Sequence, residues 1–171
     1  MPARYRSIVD VYVLLQRDGK ILLTERANTG YADGQLCPPS GHLEQGESVI
    51  DGAIREAAEE VGVILTPDDL HCAHVVHHRN SDGQGRIGFF FAATRWRGEP
   101  ENREPHKCAG LHWADPDDLP SNTVGYTAAA VAQIQAGRGF SIHGWDTASN
   151  SGWKNAGTGP RALTDLSARC T

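Results

Sequence analysis

No apolar run in this chain approaches the roughly 18 residues that cross a bilayer as a helix, so a membrane partner is not expected. The opening MPARYRSIVD lacks the apolar core of a secretory signal, and a cytoplasmic location is the expectation. Cysteine is sparse: Cys37, Cys72, Cys108 and Cys170 show no CxxC spacing, which argues against zinc and against a disulfide framework and leaves reduced structural thiols. An excess of basic residues is missing too. The formal net charge is −5, whereas a stable nucleic-acid binder normally carries a basic stripe. A Walker-type GxxxxGK[ST] loop is absent, which excludes a P-loop enzyme cleaving a γ-phosphate. No internal repeat is evident.

What is present suits one globular domain. A chain of 171 residues, 39% hydrophobic and 22% charged, can bury one sizeable core. Residues 8–15 and 20–25 read as strands joined at Arg17-Asp18-Gly19, a hairpin signal with glycine at the turn. Residues 28–40 read as a loop leading into a short strand, because turn formers and Pro38-Pro39 crowd it. Further strands are expected at 71–78, at the aromatic and apolar 87–96, and briefly at Leu111-His112-Trp113. An alanine-rich helix is expected over 124–137, ending at Gly137. From about 147 the chain is small and polar, so the domain is placed at 1–147 and a flexible tail at 148–171.

The most informative stretch is 41–63, GHLEQGESVIDGAIREAAEEVGV. Ser48 can cap free backbone N–H groups, and Asp51, three residues on, completes a capping-box-like start. Gly62 suits a left-handed helix end. Between them Ile50, Ala53, Ile54, Ala57 and Val61 recur at helical spacing and predict the buried stripe. Glu56, Glu59 and Glu60 stand at i, i+3 and i+4, so their carboxylates project toward one volume, where like charges repel unless a divalent cation sits among them. Glu47 lies near the helix N-terminus, where the macrodipole favours a carboxylate. Arg55 cannot ligate a cation; pairing with Glu47 or Glu59 would keep the acidic groups aimed. An ordinary helix with a solvated charged face is the alternative. Against it stand the single interleaved cation and Gly52 in mid-helix, which costs about 1 kcal/mol relative to alanine.

The segment resembles the Nudix (MutT-like) hydrolase signature, G-x5-E-x7-R-E-U-x-E-E-x-G-U with U apolar, at Gly41, Glu47, Arg55, Glu56, Ala57, Glu59, Glu60, Gly62 and Val63. A chance match in a chain this long is on the order of one in ten million from average residue usage. The resemblance implies an α/β fold, an α/β/α sandwich with a mixed β-sheet between helices. It also implies dependence on Mg²⁺, with Mn²⁺ as a substitute, and hydrolysis of a nucleoside diphosphate linked to another moiety. Carried onto this chain, it places Gly41, Glu56, Glu59 and Glu60 as metal ligands and Glu59, Glu60, Arg55 and Glu47 as catalytic machinery. Glu59, Glu60 and Glu104 are the alternatives for the base.

Outside the signature, Glu104 in the run RWRGEPENREP is either a loop glutamate that reaches the metal, as in MutT-like members, or a solvated loop acid. Arg26 at a strand end could meet a substrate phosphate, or be an exposed arginine without a role. Asn122 lies where MutT-like relatives can contact the nucleobase; a plain turn asparagine is the alternative. His74, His77 and His78 are split by strand alternation and read as a half-exposed strand rather than a second metal site. Asp10 amid strand residues has no account from sequence. The SQPWPxPxS array of NADH pyrophosphatases and the coenzyme A motif are absent, as is the downstream proline typical of ADP-ribose relatives. The expected substrate is a small nucleotide, first a nucleoside triphosphate, an oxidised one included. A nucleotide-sugar or other nucleoside diphosphate derivative, and a non-catalytic nucleotide-sensing domain, stand as alternatives. A homodimer is left open.

Overall fold

The structure is a computed structural model and describes residues 4–145. The boundary expected at 147 and the tail expected at 148–171 lie outside the described residues. The elements run β1 (Ile8–Arg17), β2 (Lys20–Arg26), β3 (Leu36–Cys37), β4 (Ser40–His42), α1 (Val49–Val61), β5 (His71–Arg79), β6 (Gly85–Ala93), β7 (Cys108–Ala114), α2 (Gly125–Gln135) and β8 (Phe140–His143). The strands form one mixed sheet in the order β3-β2-β1-β6-β5-β8, with β4 paired to β1 and β7 to β2. β1 and β6 run parallel, as do β5 and β8; the remaining named pairs are antiparallel.

Strand alternation on β1 explains the two layers of core. Val11, Val13 and Leu15 face α1, where Ala53, Ala57 and Val61 pack with Leu22, Phe91 and Ala93. Tyr12 and Leu14 face the other way and meet Ala130, Val131 and Ile134 of α2, with Phe90, Ala92 and Leu23. A strand buried on both faces must be apolar nearly throughout, which is why 11–15 is a continuous hydrophobic run. The resulting α/β/α sandwich is the expected one. The β1–β2 turn places Asp18 (φ 52°) and Gly19 (φ 73°) in the left-handed region, which matches the twist of a two-residue hairpin.

α1 starts and stops where its caps predict. The Ser48 hydroxyl accepts from Asp51 N–H at 3.2 Å, and Asp51 reciprocates at Ser48 N and Oγ. Gly62 closes the helix at φ 70°. The structure also explains mid-helix Gly52: a Cβ there would lie 3.1 Å from both Glu47 Oε1 and Leu43 Cδ1, so the loop before α1 packs directly on the helix backbone. Thr66–Asp69 turns the chain toward β5 as a short 3-10 segment over Pro67–Asp69. β6 starts and ends earlier than the 87–96 expected, at Gly85 and Ala93. β8 was not anticipated.

The histidine strand alternates as expected: His74 and His78 lie on its buried face at 0% and 5% exposed, and His77 lies on the partly exposed one. Alternation separates them from His77, and their face of β5 packs against α2, with Tyr126 stacked on His78. His74 Nδ1 donates to Arg138 O and its Nε2 accepts from Ser141 Oγ, both at 2.7 Å, so burial costs it no hydrogen bond. Burial holds His74 below its ordinary pKa.

Candidate active site

β4, the loop before α1 and the outer face of α1 converge on one pocket of about 420 Å³, lined among others by Gly41, Arg55, Glu56, Glu59, Glu60, Arg26, Glu104 and Lys107. The i, i+3, i+4 spacing does bring the helix carboxylates to one volume, and the loop after β6 adds Glu104. Glu47 stays just outside this lining and is bonded to Arg55, which is within it.

Arg55 is the organising cation. Its Nε and Nη2 donate to the two oxygens of Glu47 at 3.1 and 2.7 Å. Nη1 donates to Glu56 Oε1 at 2.7 Å and Glu59 Oε2 at 3.2 Å, and Nη2 to His42 O at 3.1 Å. Both expected partners, Glu47 and Glu59, are therefore engaged, and Glu56 as well. A planar five-donor fork can grip one carboxylate bidentately, as it does Glu47, while donating to others, which the compact ammonium of a lysine cannot. These bonds raise the Arg55 pKa further, and bonds from Arg55 and from Glu44 N–H hold Glu47 below the usual carboxylate range.

Glu56 and Glu60 are the buried end of the cluster. Glu60 Oε2 accepts from Ser40 N–H at 3.1 Å, which sequence spacing gave no way to foresee because the donor is a backbone group of β4. Burial, then the neighbouring Glu56 and Glu104 charges, push Glu60 up to about 8; burial also raises Glu56. At Gly41 a Cβ would overlap the Glu56 carboxylate, so the strand must approach that side chain without one. Lys107 Nζ donates to Glu104 Oε1 at 2.8 Å.

Among the described residues no group of three or more Asp, Glu, His or Cys side chains is drawn together as a ready-made metal cage. Each carboxylate is held by a donor: Glu56 and Glu59 share Arg55, Glu60 is held by Ser40 N–H and Glu104 by Lys107. The residues nonetheless fit a hard divalent cation. The donor set is oxygen only, and the pKa values of Glu56 and Glu60 are raised by the burial of charge that a cation would offset.

Arg26, closing β2, lines the same pocket and has no carboxylate partner among the described ion pairs; its Nε donates to Tyr31 O and Nη2 to Thr29 Oγ1 at 3.0 and 3.1 Å. Asn122 stands apart, ahead of α2. Its Nδ2 donates to Gly34 O at 2.9 Å and its backbone carbonyl accepts from Leu36 N–H at 3.0 Å, so it ties its loop to the segment entering β3. Sequence reasoning missed Asp10, which is 2% exposed and clamped by Arg86 and His42 beside the pocket. The signal was there: a carboxylate inside an apolar strand needs a buried partner.

A three-layer sandwich with an arginine-ordered set of glutamates on its first helix defines a hydrolase of the Nudix type. Residues 4–133 match the family model described as NUDIX domain, and the chain belongs to that family of enzymes. It is 28% identical over 114 residues to the 8-oxo-dGTP diphosphatase of Escherichia coli (strain K12), spanning 66% of this chain and 86% of that one. Over 64 residues it is 42% identical to the m7GpppN-mRNA hydrolase NUDT17 of Danio rerio, a match to 36% of this chain and 21% of that protein. A crystal structure of a MutT NUDIX hydrolase from Burkholderia pseudomallei superposes with a TM-score of 0.69 at 29% identity, covering 75% of this chain and 98% of that one. Enzymes of the family generally use divalent metal ions and act on small nucleotides. No helix among the described residues is long and apolar enough to cross a membrane.

Proposed function

We propose that this enzyme hydrolyses a nucleoside triphosphate, an oxidised one included, to nucleoside monophosphate and pyrophosphate with Mg²⁺, for which Mn²⁺ can substitute. The observation that carries the reading is the convergence of Glu56, Glu59, Glu60 and Glu104 on one pocket that Arg26, without a carboxylate partner among the described residues, also lines. The E. coli relative, a diphosphatase for 8-oxo-dGTP by name, supports the substrate class.

Anionic phosphate oxygens repel the attacking water, so charge must be neutralised and the water oriented and deprotonated. A bound Mg²⁺, held by Glu56, Glu60 and the Gly41 carbonyl with Glu59 and Glu104 supporting a further ion, would supply that neutralisation. Arg55 keeps Glu47, Glu56 and Glu59 from splaying under their mutual repulsion. Arg26 offers its guanidinium to a phosphate oxygen. Of Glu56, Glu59 and Glu60, Glu59 is the exposed one, with a side chain 56% exposed, and only its Oε2 is engaged by Arg55. We take Glu59, whose Oε1 is not bonded to Arg55, as the group that accepts the proton from water, with Glu60 and Glu104 as the alternatives for that step.

Turnover in ¹⁸O-labelled water tests the reading. Label is expected in the monophosphate or the pyrophosphate, with no orthophosphate at early times. Label in orthophosphate released from the γ position would overturn it. Failure to cleave any triphosphate, with activity on a nucleotide sugar, would move the assignment to nucleoside diphosphate derivatives; binding without turnover of either would make the domain a sensor.

A further inference from the structure

The loop that delivers Glu104 is fastened to the same helix that carries Glu56 and Glu60. The last carbonyls of an α-helix have no partner within it, and here Glu60 O accepts from Arg103 N–H and Val61 O from Glu101 N–H, both at 3.0 Å. Gly62 makes room for this docking, since a Cβ there would lie 2.8 Å from Arg103 Nε. Beyond it, residues 104–108 form a turn into β7 in which Glu104 O accepts from Lys107 N–H and Cys108 N–H at 2.8 and 2.9 Å.

Asn102 joins the two halves. Its backbone lies between the two residues bonded to α1, while its side chain reaches both ends of the turn: Oδ1 accepts from Glu104 N–H at 3.1 Å and Nδ2 donates to Cys108 O at 2.8 Å. An amide suits this bridge because it offers an acceptor and a donor together. Glu104 brings a further negative charge to a pocket where Glu56 and Glu60 already feel it, and repulsion would turn an unfastened loop outward. Lys107 offsets that charge but gives it little direction, since its side chain is 52% exposed and meets Glu104 Oε1 as a surface ion pair.

We propose that Asn102 is a positioning residue for metal binding: by locking the Glu104 turn to the segment docked on α1, it holds the Glu104 carboxylate in the pocket, where it strengthens the grip of Glu56 and Glu60 on a divalent cation. The inference rests on the reading of Glu104 as a group that supports a metal ion.

Binding of Mn²⁺ to the full chain without nucleotide, read from the electron paramagnetic resonance signal of the free ion, tests this without turnover. Asn102→Ala should weaken binding by about 10-fold, the lower end of what losing a group that orients a metal ligand costs. Asn102→Ser, whose hydroxyl can accept from the Glu104 N–H, should recover part of that loss. In a Glu104→Gln background Asn102→Ala should change nothing further, because no carboxylate is left to aim. Wild-type Mn²⁺ affinity in Asn102→Ala, or the same loss in both backgrounds, overturns the proposal, the latter by making Asn102 a general support of the fold. Should Asn102→Ala fail to fold, Asn102→Ser carries the same comparison. Wild-type affinity in Glu104→Gln would instead overturn the reading of Glu104 itself and take the proposal with it. Failure to cleave any triphosphate, with the Mn²⁺ pattern as expected, would overturn the proposed reaction and leave the role of Asn102 standing.

Discussion

Replacing Gly41 by alanine separates catalysis from stability in a single atom. The added Cβ would overlap the carboxylate of Glu56, the far end of a flexible side chain, so the overlap is relieved by swinging that carboxylate away rather than by moving β4. The swing breaks the 2.7 Å bond from Arg55 Nη1, while Arg55 keeps Glu47, Glu59 and His42 O. Losing one charge-assisted bond between partly buried groups costs about 1–2 kcal/mol, discounted for their residual exposure. At about 2–4 °C per kcal/mol for a chain of this size, Tm should fall by roughly 2–8 °C. Catalysis should suffer far more, because displacing a ligand or catalytic group by about 1 Å costs on the order of 10²-fold. Scanning calorimetry and steady-state hydrolysis on the same preparation measure both. Gly139→Ala is the control: a Cβ there meets nothing within 4 Å, and both quantities should stay at wild-type values. Full kcat in Gly41→Ala would refute the reasoning, since it would mean that Glu56 needs no particular direction.

Excess EDTA should abolish hydrolysis, with Mg²⁺ or Mn²⁺ restoring it and Ca²⁺ failing to; full turnover in EDTA would end the metal mechanism. Glu60→Gln keeps the shape and the acceptor for Ser40 N–H, so circular dichroism should be unchanged while kcat drops by roughly 10²- to 10⁴-fold; near wild-type kcat would make the helix face mere solvated surface. Acidification should destabilise the fold through His74. Burial holds its folded pKa below the ordinary 6.5, so its contribution is complete above that value and is lost as pH falls below it. Tm measured between about pH 7.5 and pH 5 should decline, and a slope no shallower in His74→Gln would contradict the assignment.

What could be read from the sequence was what depends on neighbours along the chain. Ser48, Asp51 and Gly62 set the ends of α1 through bonds spanning a few residues, and Asp18-Gly19 set the hairpin through backbone angles alone, so both were legible. The direction of Glu56, Glu59 and Glu60 followed from helical spacing and required no tertiary knowledge. Illegible features were those that join distant residues. Asp10 is explained by Arg86, 76 residues away, and by His42, and no local rule specifies either partner. His74 is buried because Ser141 and Arg138 reach it from beyond α2, across 64 or more residues. The short, half-buried β8 has a periodicity too brief to register, and it exists because β5 offers it a parallel edge at Val75–His78. The same division runs through the active site. A helix and its caps place the charges that chemistry requires, whereas the approach of β4, which lets Ser40 hold Glu60 and puts Gly41 against Glu56, is a product of sheet register. A one-residue slip between β1 and β4 would leave the signature sequence intact and separate its parts, so the register fixed by Asp10 opposite His42 belongs to the catalytic design as much as the glutamates do.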